Sequence, residues 1–406
     1  MSKKKKKKSK DKKYQSAPEV NPLEFSPKSY ALFGGVPIEN GAIEQMERAM
    51  SLPVTVAGAL MPDAHEGYGL PIGGVLATDG VVIPYAVGMD IGCRMTLTIY
   101  ELEPDFLERY RDMIKAILTE NTRFGTDEFE DRPDDPVLER PEFREIKFLR
   151  KHHQTAIRQF GTSGRGNHFV EFGHVEITMP DNPLGIKPGK YFGILSHSGS
   201  RHFGYEIAKH YSKIAEERLN LPGQLRKLSW LELNSEEGQE YWKAMTLAGD
   251  YARANHHYIH RRLAQAIGIK PVALVENHHN FAWKETHQGK EVIVHRKGAT
   301  PAGKGNLGII PGDMVSPAYI VMGRGNERSL NSASHGAGRA MSRHKAKKTF
   351  TRKDLEAVLK KHGVELIGGG LDEVPMAYKD INQVINAQQD LIDIVGKFQP
   401  KIVRME

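Results

Sequence analysis

The chain has 406 residues, 39% of them hydrophobic, and lacks any apolar run near 20 residues, which argues against a membrane protein. The formal charge of +7 comes largely from a lysine-rich segment at the beginning of the chain, so the remainder is nearly neutral. The chain has one cysteine, which cannot form an internal disulfide, and no signal peptide is visible. We therefore expect a soluble, cytoplasmic protein.

Residues 1–19 form the lysine-rich tail, which we expect to be disordered because its like charges repel and it has nothing to bury. A solvated tail is the simpler interpretation. The alternative is an electrostatic arm that binds a polyanion such as RNA with salt-sensitive affinity. No linker of distinct composition divides the rest, so we predict one catalytic domain at residues 20–406.

Patterns of apolar residues predict both strands and helices along the chain. Runs rich in β-branched residues that end at glycine turns predict strands at residues 80–87, 96–100, 291–294 and 318–322. Helical spacing predicts helices at residues 239–267, from about Thr351 to before Gly363, and at 382–395. Because the order is not a regular βαβ alternation, the predicted fold class is α+β, with mixed β-sheets flanked by helices.

Residues of the kinds that bind metals stand beside glycine in several separate stretches. Asp90 and Cys93 share one turn in VGMDIGCRM, and His168, His197 and His279 each lie at a predicted turn or strand end. A lone cysteine is more often a small core residue, and a single histidine is usually structural. Their recurrence at strand ends favours one catalytic centre for Mn²⁺ or Zn²⁺.

Other clusters carry weaker or different signals. Asp63 and His65 are explained equally well by an Asx turn with a surface histidine. Glycines around Arg165 could expose backbone N–H groups to a phosphate, although a loop entering a strand is the simpler interpretation. His335 has small neighbours and nearby arginines, which is the setting that a histidine attacking a nucleotide phosphate needs.

Together the stretches MPDAHEGYG, DIGC, GNHFVE, SHSGSR, HHN, HRKGAT and SHGAGR resemble the RtcB family of RNA-splicing ligases, from about residue 61 to the end of the chain. The resemblance implies a single large domain of the RtcB type. It also implies joining of RNA that bears a 3′-phosphate, or a 2′,3′-cyclic phosphate that is first opened, to RNA with a 5′-hydroxyl. The implied cofactors are GTP and two Mn²⁺ ions, and the implied context is tRNA splicing or RNA repair.

The resemblance also assigns roles to particular residues. The manganese ligands would be Asp90, Cys93, His168, His197 and His279, with Cys93 shared by both ions. His335 would be the histidine that becomes guanylylated, and its reaction would require a neutral imidazole. The nucleotide would be contacted by Asn167, Glu171, Asn280, Asp313, His335, Gly336, Ala337, Gly338, Tyr378 and Arg404. The RNA phosphates would be contacted by Arg165, Arg201 and Arg339.

The chain departs from the usual family pattern at positions that bear on nucleotide specificity. Asp313 and Val315 occur in IPGDMV where many members have IPGSMG, and Arg94 replaces a glycine. Arg404 or Lys401 would have to replace a lysine near the end of many members. Two other hypotheses therefore stay open: a metal-dependent phosphoesterase that opens cyclic phosphates without joining ends, and a non-catalytic RNA-binding metalloprotein. The sequence does not identify the natural RNA, the oligomeric state or an activating protein partner.

Overall fold

Strands form the frame of the molecule, which is a computed structural model that describes residues 27–103, 105–131 and 133–406. The predicted tail at residues 1–19 lies outside the described residues. In chain order the strands are β1 (Ala31–Leu32), β2 (Thr55–Tyr68), β3 (Leu70–Thr78), β4 (Val81–Val82), β5 (Arg94–Tyr100), β6 (Phe169–Ile177), β7 (Gly189–Ser198), β8 (Leu231–Glu232), β9 (Ala273–His278), β10 (Asn280–His287), β11 (Lys290–Lys297), β12 (Ala299–Pro301), β13 (Leu307–Ile310), β14 (Ala318–Gly323), β15 (Ser332–Ser334), β16 (Glu365–Ile367) and β17 (Ile392–Arg404).

Helices flank these strands and differ widely in length. They are α1 (Asn40–Met50), α2 (Pro84–Val87), α3 (Phe106–Arg109), α4 (Arg111–Asn121), α5 (Glu142–Glu145), α6 (Lys147–Gln159), α7 (Arg201–Leu219), α8 (Glu236–Ile267), α9 (Arg343–Thr349), α10 (Arg352–His362) and α11 (Ile381–Asn386). Short 3-10 turns lie at Pro136–Glu139, Gly223–Leu228, Glu327–Ser329, Leu371–Glu373 and Pro375–Ala377. Within the described ranges, every helix is too short or too polar to cross a membrane.

Most strands belong to two sheets. An eight-stranded sheet has the order β13-β14-β17-β6-β7-β5-β9, with β16 beside β17, and a five-stranded sheet has the order β1-β2-β3-β11-β10. The pairs β12–β15 and β4–β8 form small ribbons. Pairing is antiparallel except for β1–β2 and β16–β17. The predicted α+β class with mixed sheets flanked by helices is therefore confirmed.

Helix α8 packs behind the large sheet and fixes its central strands. Its 32 residues begin after Ser235, whose side chain accepts a hydrogen bond from the Gly238 N–H at 3.1 Å, and end at Gly268 in the left-handed conformation. Its inner face carries buried aromatic residues, including Tyr241 and Tyr251. It contacts β5 and β7, whose inner residues are buried, so the strand ends that follow are held rigidly.

Several predicted elements are confirmed, and two are wrong. The strands expected at residues 96–100, 291–294 and 318–322 lie within β5, β11 and β14, and the helix expected at 239–267 lies within α8. The helix expected near Thr351 is α10, where Thr351 and Asp354 form a capping box and Gly363 ends the helix. In residues 80–87, Pro84 begins α2 after only two strand residues, because a proline suits a first helical turn.

The other wrong element is the helix expected at residues 382–395. Only Ile381–Asn386 is helical, and the strand β17 begins at Ile392. The residues from Ile392 onward pair with β14 on one side and β6 on the other, so inter-strand hydrogen bonding overrides the apparent helical spacing.

Candidate active site

Four neighbouring strands of the large sheet carry the predicted metal ligands at one end. Cys93 directly precedes β5, His168 directly precedes β6, His197 lies near the end of β7, and His279 directly follows β9. These strands stand in the order β6-β7-β5-β9. In their register, the residue after His168 pairs with His197, and the residue after Cys93 pairs with the residue before His279. The antiparallel pairing thus brings residues far apart in sequence to one edge.

The ligand atoms of this group lie close together. Cys93 Sγ is 3.1 Å from His197 Nε2 and 3.6 Å from His168 Nε2. His168 Nε2 is 3.0 Å from Asp90 Oδ2, and His197 Nε2 is 3.3 Å from His279 Nε2. The structure therefore brings together all of the residues that the sequence analysis assigned to the metal centre.

The hydrogen bonds of the histidines show which nitrogen atoms are available to a metal. His168 Nδ1 donates to the main-chain oxygen of Ser163 at 2.8 Å, and His197 Nδ1 donates to that of Asn167 at 3.0 Å. The unprotonated Nε2 atoms therefore face the thiol and the carboxylate. The thiol has one proton to donate, but the lone pairs of His168 Nε2 and Asp90 Oδ2 point at each other. A divalent cation removes that repulsion, and this mixture of sulfur, nitrogen and oxygen ligands suits Mn²⁺ or Zn²⁺.

Burial favours the neutral form of the His197 and His279 imidazoles. It lowers the pKa of His197 to about 3 and that of His279 well below its usual range. Burial, followed by the negative charge of Asp90, raises the pKa of the Cys93 thiol. Burial also opposes ionisation of Asp90, but the neighbouring side chains, among them the positively charged Arg201, outweigh burial and hold the pKa of that carboxyl below its usual value. A bound cation would displace the thiol proton, since metal ligands bind in their deprotonated forms.

His335 lies beside this centre and is held by a buried carboxylate. It follows β15, and its ring centroid is 4.9 Å from that of His279. Its Nδ1 donates to Asp63 Oδ2 at 2.7 Å, and the same oxygen accepts the main-chain N–H groups of His335 at 3.2 Å and Gly336 at 3.4 Å. The Nε2 lone pair of His335 is consequently left for another partner.

The sequence analysis left Asp63 undecided and did not assign it to the site. The Asx-turn alternative is wrong, because Asp63 lies within β2 and is fully buried. Burial would raise the pKa of Asp63, but the hydrogen bond from His335 outweighs burial and holds this pKa below its usual value. One signal was present in the sequence: a carboxylate between Met61 and Ala64, in an otherwise apolar stretch, needs a partner when that stretch is buried.

A cavity of about 620 Å³ opens over His335 and two of the candidate metal ligands, His197 and His279. Its apolar wall includes Phe169 and Met314. Most of the residues assigned to the nucleotide or the RNA by resemblance line this cavity, namely Asn167, Glu171, Asp313, His335, Gly336, Ala337, Gly338, Arg339 and Tyr378. The volume is sufficient for a small-molecule ligand of nucleotide size.

Two carboxyl groups in the cavity wall influence each other. Burial and the nearby negative charge of Asp313 raise the pKa of Glu171 well above its usual value. Burial also raises the pKa of Asp313, although this carboxyl accepts hydrogen bonds from the N–H groups of Val315 at 2.9 Å and Ser316 at 3.1 Å. Asp313, the departure from the family pattern, is thus turned toward donors of its own loop.

Arg339 and Tyr378 form a second polar wall around Glu373. Arg339 Nη1 donates to Glu373 Oε2 at 3.1 Å, and the Tyr378 hydroxyl donates to the same oxygen. The guanidinium carbon of Arg339 lies 5.1 Å from the centre of the Tyr378 ring. This network fixes the ring of Tyr378 where it lines the cavity.

Arg404 does not reach the cavity, contrary to its expected nucleotide contact. Side chains alternate along β17, so Val403 and Met405 line the cavity while Arg404 points to the opposite face. There its guanidinium donates to main-chain oxygens at the end of α4, those of Leu118 and Thr122 both at 3.1 Å. Arg404 therefore caps a helix.

Three other assigned residues also lie outside the cavity lining. Asn280 donates to the Asp90 main-chain oxygen at 3.2 Å and accepts from the Gly298 N–H at 2.9 Å, so it joins two loops of the site. Arg165 is exposed and pairs with Glu406 at 3.2 Å. Arg201 lies next to the metal-ligand group, where its Nε donates to Thr162 Oγ1 at 3.1 Å and its charge acts on Asp90.

Comparison with known proteins agrees with this geometry. The family described as "tRNA-splicing ligase RtcB" matches residues 45–146 and 129–406. The RNA-splicing ligase RtcB of Escherichia coli K12 is 33% identical over 396 residues, which cover 89% of this chain and 93% of that protein. The RNA-splicing ligase RtcB of Mycobacterium tuberculosis is 33% identical over 428 residues, covering 88% of this chain and 98% of that protein. The tRNA-splicing ligase RtcB of Methanococcus maripaludis is 32% identical over 425 residues, covering 87% and 88%.

The metal-type ligands lie at adjacent strand ends, His335 is paired with a buried aspartate over one cavity, and the family match extends over most of the chain. This chain belongs to the RtcB family.

Proposed function

We propose that the protein is an RNA ligase that uses GTP and Mn²⁺ to join RNA ending in a 3′-phosphate, or in a 2′,3′-cyclic phosphate that is first opened, to RNA with a 5′-hydroxyl. The observation that carries this proposal is the placement of His335. Its ring lines the cavity, lies 4.9 Å from the His279 ring and is bonded through Nδ1 to buried Asp63. A histidine so held presents Nε2 as a nucleophile.

In the first step, His335 Nε2 attacks the α-phosphorus of GTP, a P–N bond forms, and the bond to the β-phosphate oxygen breaks to release pyrophosphate. Asp63 keeps the ring proton on Nδ1, so the attacking nitrogen needs no general base. As the ring loses electron density, the buried carboxylate stabilises the positive charge that develops on it.

In the later steps, an oxygen of the RNA 3′-phosphate attacks the guanylate phosphorus, the P–N bond breaks, and His335 is regenerated. The 5′-hydroxyl then attacks the activated 3′-phosphate, and GMP leaves. The cavity wall supports guanylate binding through Glu171, Tyr378 and the small residues after His335, which leave room for a phosphate close to the backbone.

Asp90, Cys93, His168, His197 and His279 would hold the manganese ions, since their ligand atoms converge and their lone pairs face one another. When bound, divalent manganese would neutralise phosphate charge and orient the triphosphate for in-line displacement. Arg201, whose charge already acts on Asp90, adds a fixed positive charge on this side of the site.

The experiment that tests the proposal is incubation of the protein with GTP labelled at the α-phosphate and Mn²⁺, followed by denaturing electrophoresis. We expect a covalent label that is lost in acid, as a phosphoramidate is, and that is absent from His335→Ala. His344→Ala is the matched control, because His344 also lines the cavity but is exposed and makes no contact with Asp63.

The same preparation separates the other candidate functions. If the protein opens a 2′,3′-cyclic phosphate but takes up no covalent label, its function is that of a phosphoesterase and not of a ligase. RNA binding with neither label nor opening would indicate a non-catalytic metalloprotein. Ligation of defined 3′-phosphate and 5′-hydroxyl ends by the wild type, but not by His335→Ala, is the result expected of the ligase.

A further inference from the structure

Tyr68 is a large aromatic residue left in solvent at the opening of the cavity. It is the last residue of β2, at the tip of the hairpin that β2 forms with β3, and its side chain is 67% exposed. It also lines the cavity that contains His335. Because most of the Tyr68 side chain is left in water, its ring is available to a ligand that enters or leaves the cavity.

The hairpin tip that carries Tyr68 is held rigidly. The Gln45 side chain clamps Gly67 from both sides, donating to its oxygen at 2.7 Å and accepting from its N–H at 3.0 Å. Gly69 has φ +75°, and a Cβ there would overlap the Lys227 main-chain oxygen. The tip is thus packed against the 3-10 turn Gly223–Leu228. A ring that is fixed before binding loses little conformational entropy when a ligand stacks on it.

The charges around Tyr68 favour a flat base with a phosphate nearby. The Lys227 ammonium lies 4.6 Å from the centre of the Tyr68 ring and 4.9 Å from that of Tyr85. Glu39 and Glu66 also line the cavity, and their carboxylates would repel a phosphodiester placed against them. A polyanion is therefore best accommodated with a base over the tyrosine and its phosphate toward Lys227.

We propose that Tyr68 is a stacking platform for a nucleobase near an end of the RNA that is being joined, with Lys227 contacting the adjacent phosphate. This inference rests on the proposed ligase function, because it places an RNA end in the cavity. The guanine of GTP would bind elsewhere, because its proposed contact Glu171 is only 4% exposed. The Tyr68 ring instead faces solvent, where an RNA chain would leave the cavity. Stacking tolerates any base, which suits an enzyme that joins different sequences.

The test uses short RNAs in which a fluorescent adenine analogue replaces each of the last two nucleotides of the 3′-phosphate or 5′-hydroxyl strand. Wild-type protein should quench the analogue at one of these positions. Tyr68→Ala should abolish the quenching and weaken RNA binding roughly 5- to 150-fold, the range expected for one base–aromatic stack. Tyr68→Phe should retain both, because the ring and not the hydroxyl is used.

Tyr110→Ala provides the matched control, since Tyr110 is also an exposed tyrosine, at 42%, but lies outside the cavity lining. Guanylylation by labelled GTP is measured on every variant, and we expect Tyr68→Ala to be labelled as efficiently as the wild type. Absence of covalent label from the wild-type protein would contradict the ligase proposal but not the RNA contact of Tyr68, because that contact is measured by the quenching of the RNA analogue. Wild-type RNA affinity in Tyr68→Ala, or a defect confined to guanylylation, would overturn the assignment of the ring to RNA.

Discussion

Asp63 determines which nitrogen of His335 is free to react. In Asp63→Asn the side chain keeps its size but loses the charge that holds the proton on Nδ1 and stabilises the ring during attack. We expect the rate of guanylylation to fall by about 10²- to 10⁴-fold, the range seen when such an orienting carboxylate is neutralised. Single-turnover labelling with GTP measures the rate.

The control for this prediction is Asp79→Asn, which alters an exposed aspartate that pairs with Lys290 on the surface. Its labelling rate should match that of the wild type. If Asp63→Asn keeps the wild-type rate while retaining its melting temperature, the buried carboxylate has no part in the reaction.

Glu171 makes stability depend on pH. Burial and Asp313 raise its folded-state pKa well above the unfolded value, so the folded protein retains a proton that the unfolded chain loses as the pH rises. The free energy of unfolding therefore falls with increasing pH over that interval. Glutamine cannot ionise, so Glu171→Gln should melt like the wild type near about pH 4 and at a higher temperature near about pH 8.

Thermal melting at both pH values checks this prediction, with Glu176→Gln as the control from the same strand, where Glu176 is half-buried and pairs with Lys397. A melting difference that is the same at both pH values would contradict it. Because we also propose that Glu171 contacts the guanylate, the more stable variant should label with GTP more slowly, which illustrates a trade-off between stability and function.

At the level of elements, Arg404 is the residue for which the sequence and the structure give different roles. The sequence predicted a nucleotide contact, whereas the guanidinium caps the end of α4. Arg404→Met keeps the aliphatic stem but leaves these carbonyl groups without a cationic donor. We expect the free energy of unfolding to fall by about 1–3 kcal/mol in chemical denaturation, with guanylylation unchanged.

Lys401→Met, on the same strand, is the control, because Lys401 was the other candidate for the nucleotide contact. We expect Lys401→Met to lower the free energy of unfolding less than Arg404→Met does. Loss of guanylylation in Arg404→Met, with the free energy of unfolding unchanged, would restore the expectation drawn from the sequence.

The sequence predicted elements well where local pattern and tertiary environment agree. The apolar spacing of α8 and the capping residues of α10 are local signals, and both helices are found. The segment at residues 382–395 failed because its structure is decided by partners on β14 and β6, more than 60 residues away in the chain. The direction of the Arg404 side chain could not be predicted either, since it depends on the register of that strand.

At the scale of the whole molecule, the proposed metal centre joins distant parts of the chain. Its candidate ligands could be predicted from sequence, because residue type and turn position are local properties. Asp63 could not, since only the packing of β2 against β15 brings it to His335. The candidate ligands come from four strands that meet only in the folded protein. The folded state should therefore bind the ion much more tightly than the unfolded chain does.

Metal binding should consequently raise thermal stability. At a free Mn²⁺ concentration about 100 times the dissociation constant, the gain is about 2.7 kcal/mol. We expect the melting temperature of chelator-treated protein to rise on addition of Mn²⁺, and His197→Ala to lose that rise along with the metal measured by mass spectrometry. His174→Ala, which alters a surface histidine paired with Glu108, should respond as the wild type does. An equal rise in His197→Ala would place the ion elsewhere.

The position of β17 has a consequence for biosynthesis. This strand is translated after the other strands that the structure describes, yet it stands between β14 and β6 inside the large sheet. A nascent chain on the ribosome therefore holds two incomplete half-sheets with open edges until residue 404 has emerged from the exit tunnel. Translational pausing before that point would expose those edges to aggregation, and chaperone occupancy should be greatest there.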